Sequence, residues 1–517
     1  MYRSMEPNNV DPPSTGFRLR GPAPPAGLLP FSRTVPGVAQ TEGAHGAAFF
    51  DLDRTLLSGA SGPAFSVAMR KAGMTSRSIP GEGLLYGLFN VIGETLPSMV
   101  IARQGANLAK GRRQADFRAS GAAAADELQA KVQPFAGPIF DQHRAAGRPV
   151  VLATTTPYDL VKPLADRLGL DDVVATRYGV NADGTYDGTI AGPFVWATGK
   201  LAAVRTWADQ HGIDLAESYA YSDSFFDTPL LSAVGTPIVV NPDPRMVIMA
   251  TARRWPILNL DVSPGVVKIP VVGVELQRVA LQFSRPELMP FVKFDIDGIV
   301  KIPKSGAAII VANHRSYFDP LALSVLFAKS GRTVRFLGKK EVFDVPIVGS
   351  LAIALGGIRV DRASGSDEPL EAAADALVGG EVVAIMPQGT IPRGEAFFDP
   401  ELKGRWGVAR LAQRTKAPVI PVGLWGTEQV WPRSSRLPNL LNVSDPPTVR
   451  IRVGAPVELK YRSLDADTKR VMAAIVDLLP AEARRAKEPT PEELAETYPP
   501  GYKGDPDAET DRRPGTD

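Results

Sequence analysis

Apolar and polar positions alternate along this 517-residue chain in blocks that predict strands and helices in turn. Short apolar runs such as "GAAFF", "RPVVLA" and "ESYAY" predict buried strands, and amphipathic stretches such as "KLAAVRTWADQHG" predict the helices between them. Alternating strands and helices favour a doubly wound α/β sheet with functional groups at the carboxyl ends of its strands.

The pattern starts again near residue 291 with runs such as "AAIIVANHRSYFDP", "VVAIMPQGTIPRG" and "APVIPVGLWG", which predict a second α/β domain. The length of the chain also suggests at least two domains. Thr55 and Thr154 are too far apart for one crossover helix, so a helical insertion at about 60–140 is expected as a cap over the first site. The predicted domains are therefore 46–255 and 291–480.

Both ends of the chain are polar and rich in proline, and we expect disorder over 1–45 and 481–517 rather than a signal peptide. No stretch is apolar enough to predict a membrane-spanning helix. Residues 84–101 and 266–283 have helical apolar faces that either pack on their own domains or lie on a membrane surface. The second of these belongs to a predicted linker, 256–290.

The overall charge changes this picture little, because 58 lysines and arginines balance 56 acidic residues to a net charge of +2. This balance gives no general attraction to nucleic acid, and none is expected as a partner. The chain has no cysteine, which excludes disulfides, thiolate nucleophiles and zinc–thiolate sites. Any metal must therefore bind to oxygen or histidine ligands.

Four aspartates follow predicted strands of the first half, namely Asp51, Asp53, Asp223 and Asp227. They meet at one sheet edge if the first and fourth strands are neighbours, and such an oxygen-only cluster suits Mg²⁺. Lys200 is then placed to neutralise a phosphoryl group, and a carboxylate can act as the nucleophile in phosphoryl transfer.

The ordered motifs "DLDRT", "LATTT", "GK" and "YSDSFFDTPLL" resemble those of the haloacid dehalogenase superfamily over about 46–250. The similarity is closest to its phosphoserine-phosphatase-like branch, subfamily IB, which has a Rossmann-like sheet and a helical cap. The resemblance implies that Asp51 forms an aspartyl phosphate and that Asp53 protonates the leaving group and then activates water. It further implies that Thr154 and Lys200 bind the phosphoryl oxygens and that Asp223 and Asp227 position Mg²⁺ with the first two aspartates.

In the second half, His314 is followed by Asp319, which can accept the ring Nδ1–H and leave Nε2 as a base. The chain offers neither a Gly-x-Ser-x-Gly elbow nor a cysteine as nucleophile, so the base is expected to act on the substrate. Basic residues follow the later strands, as an anionic substrate requires: Lys339, Arg359, Arg362 and Arg393. This combination indicates acyl transfer to a phosphorylated alcohol.

Residues 291–458 resemble the glycerolipid acyltransferases, the family of 1-acylglycerol-3-phosphate acyltransferase, through "NHRSYFDP", "GGIRVDR" and "APVIPVG". The resemblance implies His314 as general base, Asp319 as its orienter, and acyl-CoA or acyl carrier protein as donor. It also implies that Arg359 and Arg362 contact the phosphate of a lysophospholipid acceptor or its loop.

The family has a further motif, its third block, which lies between "GGIRVDR" and "APVIPVG" in this chain. This block departs from the family pattern Pro-Glu-Gly-Thr-Arg. Here Gln388, Gly389 and Thr390 are followed by isoleucine, and Arg393 comes two places late. Glutamine keeps a hydrogen-bonding carbonyl but loses the charge, so the acceptor is in doubt while the His–Asp base is not. We expect an active domain that grips a phosphorylated acceptor through Arg359, Arg362 and Arg393.

The sequence thus predicts a bifunctional phospholipid-metabolism enzyme, a magnesium-dependent phosphatase of phosphate monoesters fused to an acyltransferase. We expect it in the cytoplasm, peripheral on the inner face of the cell membrane. Two alternatives stay open: an acyltransferase whose front domain is a docking module, and a small-molecule phosphatase with an inactive rear domain.

Overall fold

The apolar runs of the first half form a parallel six-stranded sheet in the computed structural model, which describes residues 45–74, 96–263, 266–269, 273–344, 348–360 and 368–502. Its strands lie in the order β3-β2-β1-β6-β7-β8. Their bounds are β1 Ala48–Phe50, β2 Val150–Pro157, β3 Asp172–Thr176, β6 Tyr219–Ser222, β7 Thr236–Val240 and β8 Ile257–Leu258. Because β6 is the direct neighbour of β1, the aspartates that follow these two strands reach the same sheet edge.

Both faces of this sheet are covered, as its continuous apolar strands require. Phe49 packs with the helices on one face, and Phe50 packs with those on the other. The helices are α1 Gly62–Lys71, α2 Leu96–Ala109, α3 Gln114–Gln129, α4 Ala136–Ala145, α5 Tyr158–Arg167, α6 Thr198–His211, α7 Thr228–Leu231 and α8 Pro244–Arg253. The doubly wound α/β fold predicted for this half is confirmed.

Helices α1 to α4 fill the connection between β1 and β2, where the sequence predicted a cap. Of these, α4 packs under the sheet, with the Phe140 ring 5.0 Å from that of Phe50. An antiparallel hairpin, β4 Tyr178–Val180 and β5 Tyr186–Ile190, contacts α2 and was not predicted. The insertion therefore contacts both the sheet, through α4, and the hairpin, through α2.

The second half forms a mixed seven-stranded sheet in the order β12-β11-β13-β10-β14-β15-β9, in which only β14 and β15 pair antiparallel. Its strands are β9 Lys293–Asp297, β10 Ala308–Ala312, β11 Arg335–Lys339, β12 Ile358–Val360, β13 Val382–Ile385, β14 Val419–Trp425 and β15 Thr448–Val453. Alternate residues of β10 join separate apolar clusters on the two faces. A second α/β domain, as predicted, is confirmed.

The helices of the second half cover both faces of that sheet. They are α9 Leu276–Leu281, α10 Asp319–Ser330, α11 Lys340–Phe343, α12 Val348–Ala354, α13 Glu368–Val378, α14 Gly407–Thr415, α15 Thr427–Val430, α16 Leu464–Val476 and α17 Pro491–Glu496. Helix α10 begins directly after the His314 loop, and its apolar residues pack on the face of β10 that carries Ile310. The helix thereby fixes the loop at the carboxyl end of β10.

The linker packs on the second domain through a buried polar network. The Gln277 side chain bonds both backbone groups of Val334, at 2.6 and 2.9 Å. Arg335, only 1% exposed, pairs with Glu275 and Glu381 at 3.0 and 2.6 Å. Of the two readings of 266–283, packing therefore holds for this part of the linker, because its polar groups are satisfied inside the protein.

The front domain also touches the rear domain directly. The Phe135 ring lies against Gly379, where a Cβ would stand 2.3 Å from the ring. Glu381 of the rear domain also accepts from the backbone N–H and the hydroxyl of Ser263 in the linker. The two domains are thus joined by side-chain contacts as well as by the linker.

The other segment with an apolar face, 84–101, lies mostly outside the described residues, which begin again at residue 96 with α2. In the described part of the chain, every helix is too short or too polar to cross a membrane.

The C-terminal segment differs from the predicted disordered tail as far as Tyr502. Helix α17 carries a capping box, in which Thr490 and Glu493 bond each other's backbone. Thr497 then accepts from the Gly394 backbone N–H at 2.8 Å, and the Glu496 carbonyl accepts from the Ser434 N–H at 3.2 Å. Hydrogen bonds from the backbone N–H groups of Gly394 and Ser434 hold this segment. The pattern of apolar residues in the sequence could not have predicted them.

Candidate active sites

The nucleophile candidate Asp51 is the first residue after β1, and its backbone N–H donates to the Tyr221 carbonyl of β6 at 2.9 Å. An irregular turn, Leu52–Leu56, follows immediately. Within it Arg54 has φ 61°, a left-handed conformation that costs free energy in a residue other than glycine. This strained turn brings Asp51, Asp53 and Thr55 to one end of the sheet.

Lys200 bridges two of the aspartates. Its ammonium donates to Asp51 at 2.8 Å and to Asp227 at 2.6 Å, and only 1% of its side chain is exposed. Ser222 donates to the same Asp227 oxygen at 2.7 Å. Burial strengthens these charge-assisted hydrogen bonds, and the lysine therefore fixes residues from β1 and β6 relative to each other.

Asp223 is held by the turn that follows β1. The Thr55 hydroxyl accepts from the Asp223 N–H at 2.9 Å and donates to its carboxylate at 3.2 Å. The Arg54 guanidinium pairs with the other carboxylate oxygen at 3.2 Å. The sequence analysis did not identify Arg54 or Thr55 as site residues, although both lie within the quoted "DLDRT" motif.

Asp53 has a different environment from the other three aspartates. Its carboxylate accepts the Ser61 N–H at 2.5 Å, at the start of α1. Burial raises the pKa of the Asp53 carboxyl, while the hydrogen bonds from Ser61 oppose that rise. A carboxyl group with a raised pKa is better able to hold a proton, as a general acid must.

The charges of this site leave an excess of negative charge. Four carboxylates face two cationic side chains, Lys200 and Arg54, in a mostly buried region. Among the described residues, Asp227 Oδ1 is buried without a hydrogen-bond partner. Uncompensated buried carboxylate oxygen is costly, and a divalent cation that prefers oxygen ligands would relieve it. The donor set therefore fits magnesium.

The ligands are not gathered into a finished metal site. Within the part of the chain that is described, no three His, Asp or Glu side chains are grouped closely enough to hold an ion. Lys200 lies between Asp51 and Asp227, and Asp53 turns toward Ser61. Any bound cation thus requires the carboxylates to reorient.

Thr154 lies on β2 beside this cluster. The parallel register pairs Phe50 with Leu152, so Thr154 is level with Leu52, one residue beyond Asp51. It is buried, and its hydroxyl accepts the Thr156 N–H at 3.2 Å. The structure thus brings Thr154 to the same sheet edge as Asp51.

The rear site is built around one carboxylate oxygen. Asp319 Oδ2 accepts from His314 Nδ1 at 2.7 Å and from the backbone N–H groups of Arg315 and Ser316 at 2.6 and 2.8 Å. A carboxylate partner requires the proton on Nδ1, which leaves Nε2 free to act as a base. Asp319 is fully buried, whereas 18% of the His314 side chain is exposed.

Neighbouring polar side chains hold the loop that carries His314. Asn313 bonds both backbone groups of Leu424 on β14, each at 2.8 Å. The Arg315 guanidinium pairs with Glu428 at 3.0 Å and stacks on Trp425, 4.3 Å from the ring centroid. Asn313 and Arg315 flank the histidine in sequence, so their proximity is the only signal that could have identified them.

Gln388 contacts the loop that carries His314. Its Oε1 accepts the backbone N–H of His314 at 2.7 Å, joining the third block to the histidine loop. The carbonyl that the sequence analysis credited to glutamine is therefore used within the protein. Gly389 follows with φ 71°, a conformation that favours glycine, and Thr390 comes next in the same loop.

Two of the predicted phosphate-binding arginines, Arg359 and Arg393, belong to the described residues and lie in different parts of the rear domain. Arg359 lies on edge strand β12, three strand spacings or about 14 Å from β10, and pairs with Asp344 at 3.1 Å. The Arg393 guanidinium lies 4.9 Å from the Tyr502 ring, in the C-terminal segment. Arg362 and the side chain of Lys339 lie outside the described residues. The assignment of Arg359 to acceptor phosphate stays a prediction, to which its place on the sheet edge gives no support.

Arg433 was missed by sequence analysis. Its guanidinium donates to the Ile391 carbonyl at 2.5 Å and to that of Pro392 at 3.3 Å. Ile391, which replaces the family's arginine, is buried. A cation thus reaches the altered loop from a distant part of the chain, and no spacing within the third block could have indicated it.

Two family models match the chain, one to each site. The model of the haloacid dehalogenase-like hydrolases matches residues 48–232, and the acyltransferase model matches residues 293–425. The Mycobacterium tuberculosis protein named phosphoserine phosphatase SerB1 is 35% identical over 229 residues, which span 44% of this chain and 74% of that protein. The chain belongs to the haloacid dehalogenase-like hydrolases and carries a fused acyltransferase-family domain.

Other relatives cover one domain each. The "inhibition of morphological differentiation protein" of Streptomyces azureus is 34% identical over 41% of this chain and 78% of its own length. The solved structure of the 1-acyl-sn-glycerophosphate (LPA) acyltransferase PlsC from Thermotoga maritima is 23% identical, with a TM-score of 0.30 over 39% of this chain and 76% of that chain. The two family matches indicate a phosphatase and an acyltransferase activity in one chain.

Proposed function

We propose that the rear domain of this hydrolase–acyltransferase fusion transfers an acyl group from acyl-CoA or acyl carrier protein to a lysophosphatidate-like acceptor. The observation that carries the proposal is the 2.7 Å contact between His314 Nδ1 and buried Asp319. Nε2 of His314 takes the proton of the acceptor hydroxyl as the hydroxyl oxygen attacks the thioester carbonyl. The C–S bond then breaks, and the imidazolium returns the proton to the leaving thiolate, which departs as the free thiol of the donor. Asp319 orients the ring and stabilises the imidazolium that forms.

We propose that the front domain hydrolyses a phosphate monoester through Asp51. The supporting observation is the buried Lys200 that holds Asp51 and Asp227 together. The Asp51 carboxylate attacks phosphorus while Asp53 protonates the departing oxygen, and Asp53 then takes a proton from the water that hydrolyses the aspartyl phosphate. Lys200 and the Thr154 hydroxyl stabilise the phosphoryl oxygens.

Magnesium is the proposed cofactor of the front site. Asp51, Asp223 and Asp227 would hold it with Asp53 beside them, and the bound cation would neutralise charge on the phosphoryl oxygens. This assignment rests on the excess of carboxylates and on the unpaired Asp227 oxygen.

Two substrate classes compete for the front site. A lipid phosphate fits an enzyme whose second domain handles lipid acceptors. The relative named phosphoserine phosphatase instead favours a small phosphorylated amino acid. Hydrolysis of phosphoserine and of lysophosphatidate at matched concentrations separates these candidates.

For the acceptor we propose that Arg362 and Arg393 contact the phosphate. Loss of one charge-assisted contact should lower kcat/KM for a phosphorylated acceptor by about 10- to 150-fold in Arg393→Ala. An unphosphorylated monoacylglycerol serves as the control acceptor, and its kcat/KM should not change. Equal losses with both acceptors would instead indicate a structural role against Tyr502.

Two single variants test the bifunctional proposal. Asp51→Asn should abolish phosphatase activity and leave acyl transfer intact, and His314→Ala should do the reverse, each by several powers of ten. If only one activity exists in the wild-type protein, one of the two alternatives applies, a docking front domain or an inactive rear domain. We place the enzyme in the cytoplasm, peripheral on the inner membrane face.

A further inference from the structure

The segment between α15 and β15 ends in an exposed apolar tip, residues 437–443 ("LPNLLNV"), here called the leucine loop. Leu437, Leu440, Leu441 and Val443 are 73, 52, 90 and 57% exposed. Four large aliphatic side chains in seven residues form an apolar surface of the kind that marks an interaction site. Residues 431–443 contain two arginines and no acidic residue.

Hydrogen bonds join the base of the leucine loop to the histidine motif and to the third block. The Trp431 carbonyl accepts from the Ser316 hydroxyl at 2.6 Å, two residues from His314. Arg433 bonds the Ile391 carbonyl of the third block, as described above. Asn439 then closes the loop by donating its N–H to the Val430 carbonyl at 3.0 Å. Anything that binds the tip is therefore held in a fixed relation to His314.

The apolar surface continues from the base of the loop onto the histidine motif. The Tyr317 ring is 43% exposed and lies 5.7 Å from that of Trp431. Leu321, in the first turn of α10, is 37% exposed. Amphipathic aromatic rings suit the boundary between an apolar phase and water. The catalytic histidine thus lies beside an exposed surface of aromatic and aliphatic side chains.

The geometry points to a phospholipid bilayer as the partner of the leucine loop, which inserts its aliphatic side chains and brings His314 to the membrane surface. This inference rests on the proposed acyl transfer to a lipid acceptor, whose chains lie in a bilayer. A bilayer also provides anionic headgroups for Arg436, which is exposed next to the tip. The leucine loop is then a site of attachment, whereas Glu275 and Gln277 of the segment 266–283 pack on the rear domain.

The test uses the full chain and vesicles of phosphatidylcholine and phosphatidylglycerol in a flotation assay. The double variant Leu440→Ser/Leu441→Ser should lower the partition coefficient about tenfold, because two inserted aliphatic side chains are lost. Val300→Ser is the matched control, because this valine is 94% exposed. It lies next to Gly298, which packs on Val453 at the far end of β15 from the loop, and its substitution should leave vesicle binding unchanged.

A second assay separates failure of the loop from failure of the proposed function. Acyl transfer between short-chain, monodisperse substrates should be the same in the double variant and the wild type, whereas transfer to a vesicle-borne acceptor should fall. Equal vesicle binding by both proteins overturns the membrane-docking role while leaving acyl transfer standing. Absence of transfer to any acceptor overturns the proposed function, and flotation still tests the loop. A wild-type dimer that the double variant dissociates, without vesicle binding, would identify a second copy as the occupant and overturn the proposal.

Discussion

In the front domain, aspartates from two neighbouring strands reach one sheet edge and are held by Lys200, from a third part of the chain. In the rear domain, the carboxylate that holds His314 comes from the same loop, five residues later. The front site therefore depends on strand order and on long-range packing. The rear site depends first on local backbone geometry, since two of the three N–H groups that donate to Asp319 Oδ2 are backbone groups of the same loop.

The two sites also differ in charge. The front cluster carries more carboxylates than cations and is suited to binding a metal and a phosphoryl group. The rear pair is a single buried acid beside one histidine, a constellation for moving one proton. Variants in the two sites should therefore fail in different ways, in chemistry at the rear and in both chemistry and stability at the front.

Asp319→Asn should have the largest effect. An amide can donate to the histidine ring and stabilise the wrong tautomer, so acyl transfer should fall on the order of 10³- to 10⁴-fold. The measurement is kcat for acyl transfer in the full chain, with phosphatase activity as the internal control. A fall in both activities would point to misfolding rather than to the tautomer.

Lys200→Met should destabilise the front domain as well as abolish phosphatase activity. It leaves buried Asp51 and Asp227 without their shared cation, which should cost about 3–5 kcal/mol. Urea unfolding of the front domain is the measurement. Lys131→Met removes a pair with Glu127 that is largely exposed, and it should change stability by no more than about 0.5 kcal/mol. Similar losses in the two variants would contradict the special role of Lys200.

Gln388 allows the histidine loop to be tested without altering its acid. Gln388→Met leaves the His314 backbone N–H without its acceptor and should lower kcat for acyl transfer about 10- to 100-fold. Gln388→Glu restores an accepting oxygen and should stay within about threefold of the wild type. If both variants lose activity equally, the glutamine acts through its NH₂ group and not by holding His314.

A buried histidine under the front sheet should make that domain sensitive to acid. His143 bonds Tyr221 at 2.7 Å and Arg148 at 2.9 Å, and burial together with the Arg148 charge lowers its pKa to about 3. The unfolded chain binds a proton near pH 6.5 and the folded protein does not, so stability is complete above pH 6.5 and falls as the pH drops toward 3. The loss should be about 2 kcal/mol at pH 5.

Hydrogen exchange of peptides that contain β1 and β6, between pH 7 and pH 5, measures this loss. His143→Gln removes the titrating ring and should flatten the dependence on pH. An unchanged slope in that variant would assign the acid sensitivity to the aspartate cluster instead.

The features that could be predicted from the sequence depend on local pattern, and those that could not be predicted depend on long-range contacts. The spacing of apolar residues and the order of the motifs were sufficient to predict the doubly wound sheet and the second α/β domain. A continuous apolar run in the sequence indicates a strand that is buried on both faces. The His314–Asp319 contact followed from spacing within one loop. The contacts of Arg433 and of the C-terminal segment with the third-block loop could not be predicted. They join residues at least 41 positions apart. Their partners are backbone groups, which every residue type has, so the residue types in the loop do not indicate these contacts.

Substitution of Arg359 should give the smallest effect. Arg359 lies within strand β12 at the sheet edge, whereas Arg393 lies in a loop after a strand. Its guanidinium pairs with Asp344, and both side chains are about half exposed. Exposed pairs contribute little, so Arg359→Ala should change acceptor kcat/KM and stability by no more than about twofold and about 0.5 kcal/mol. Asp344→Ala is the matched control and should behave alike. A tenfold loss in Arg359→Ala alone, seen only with a phosphorylated acceptor, would return this arginine to the acceptor site and require β12 to approach His314 during catalysis.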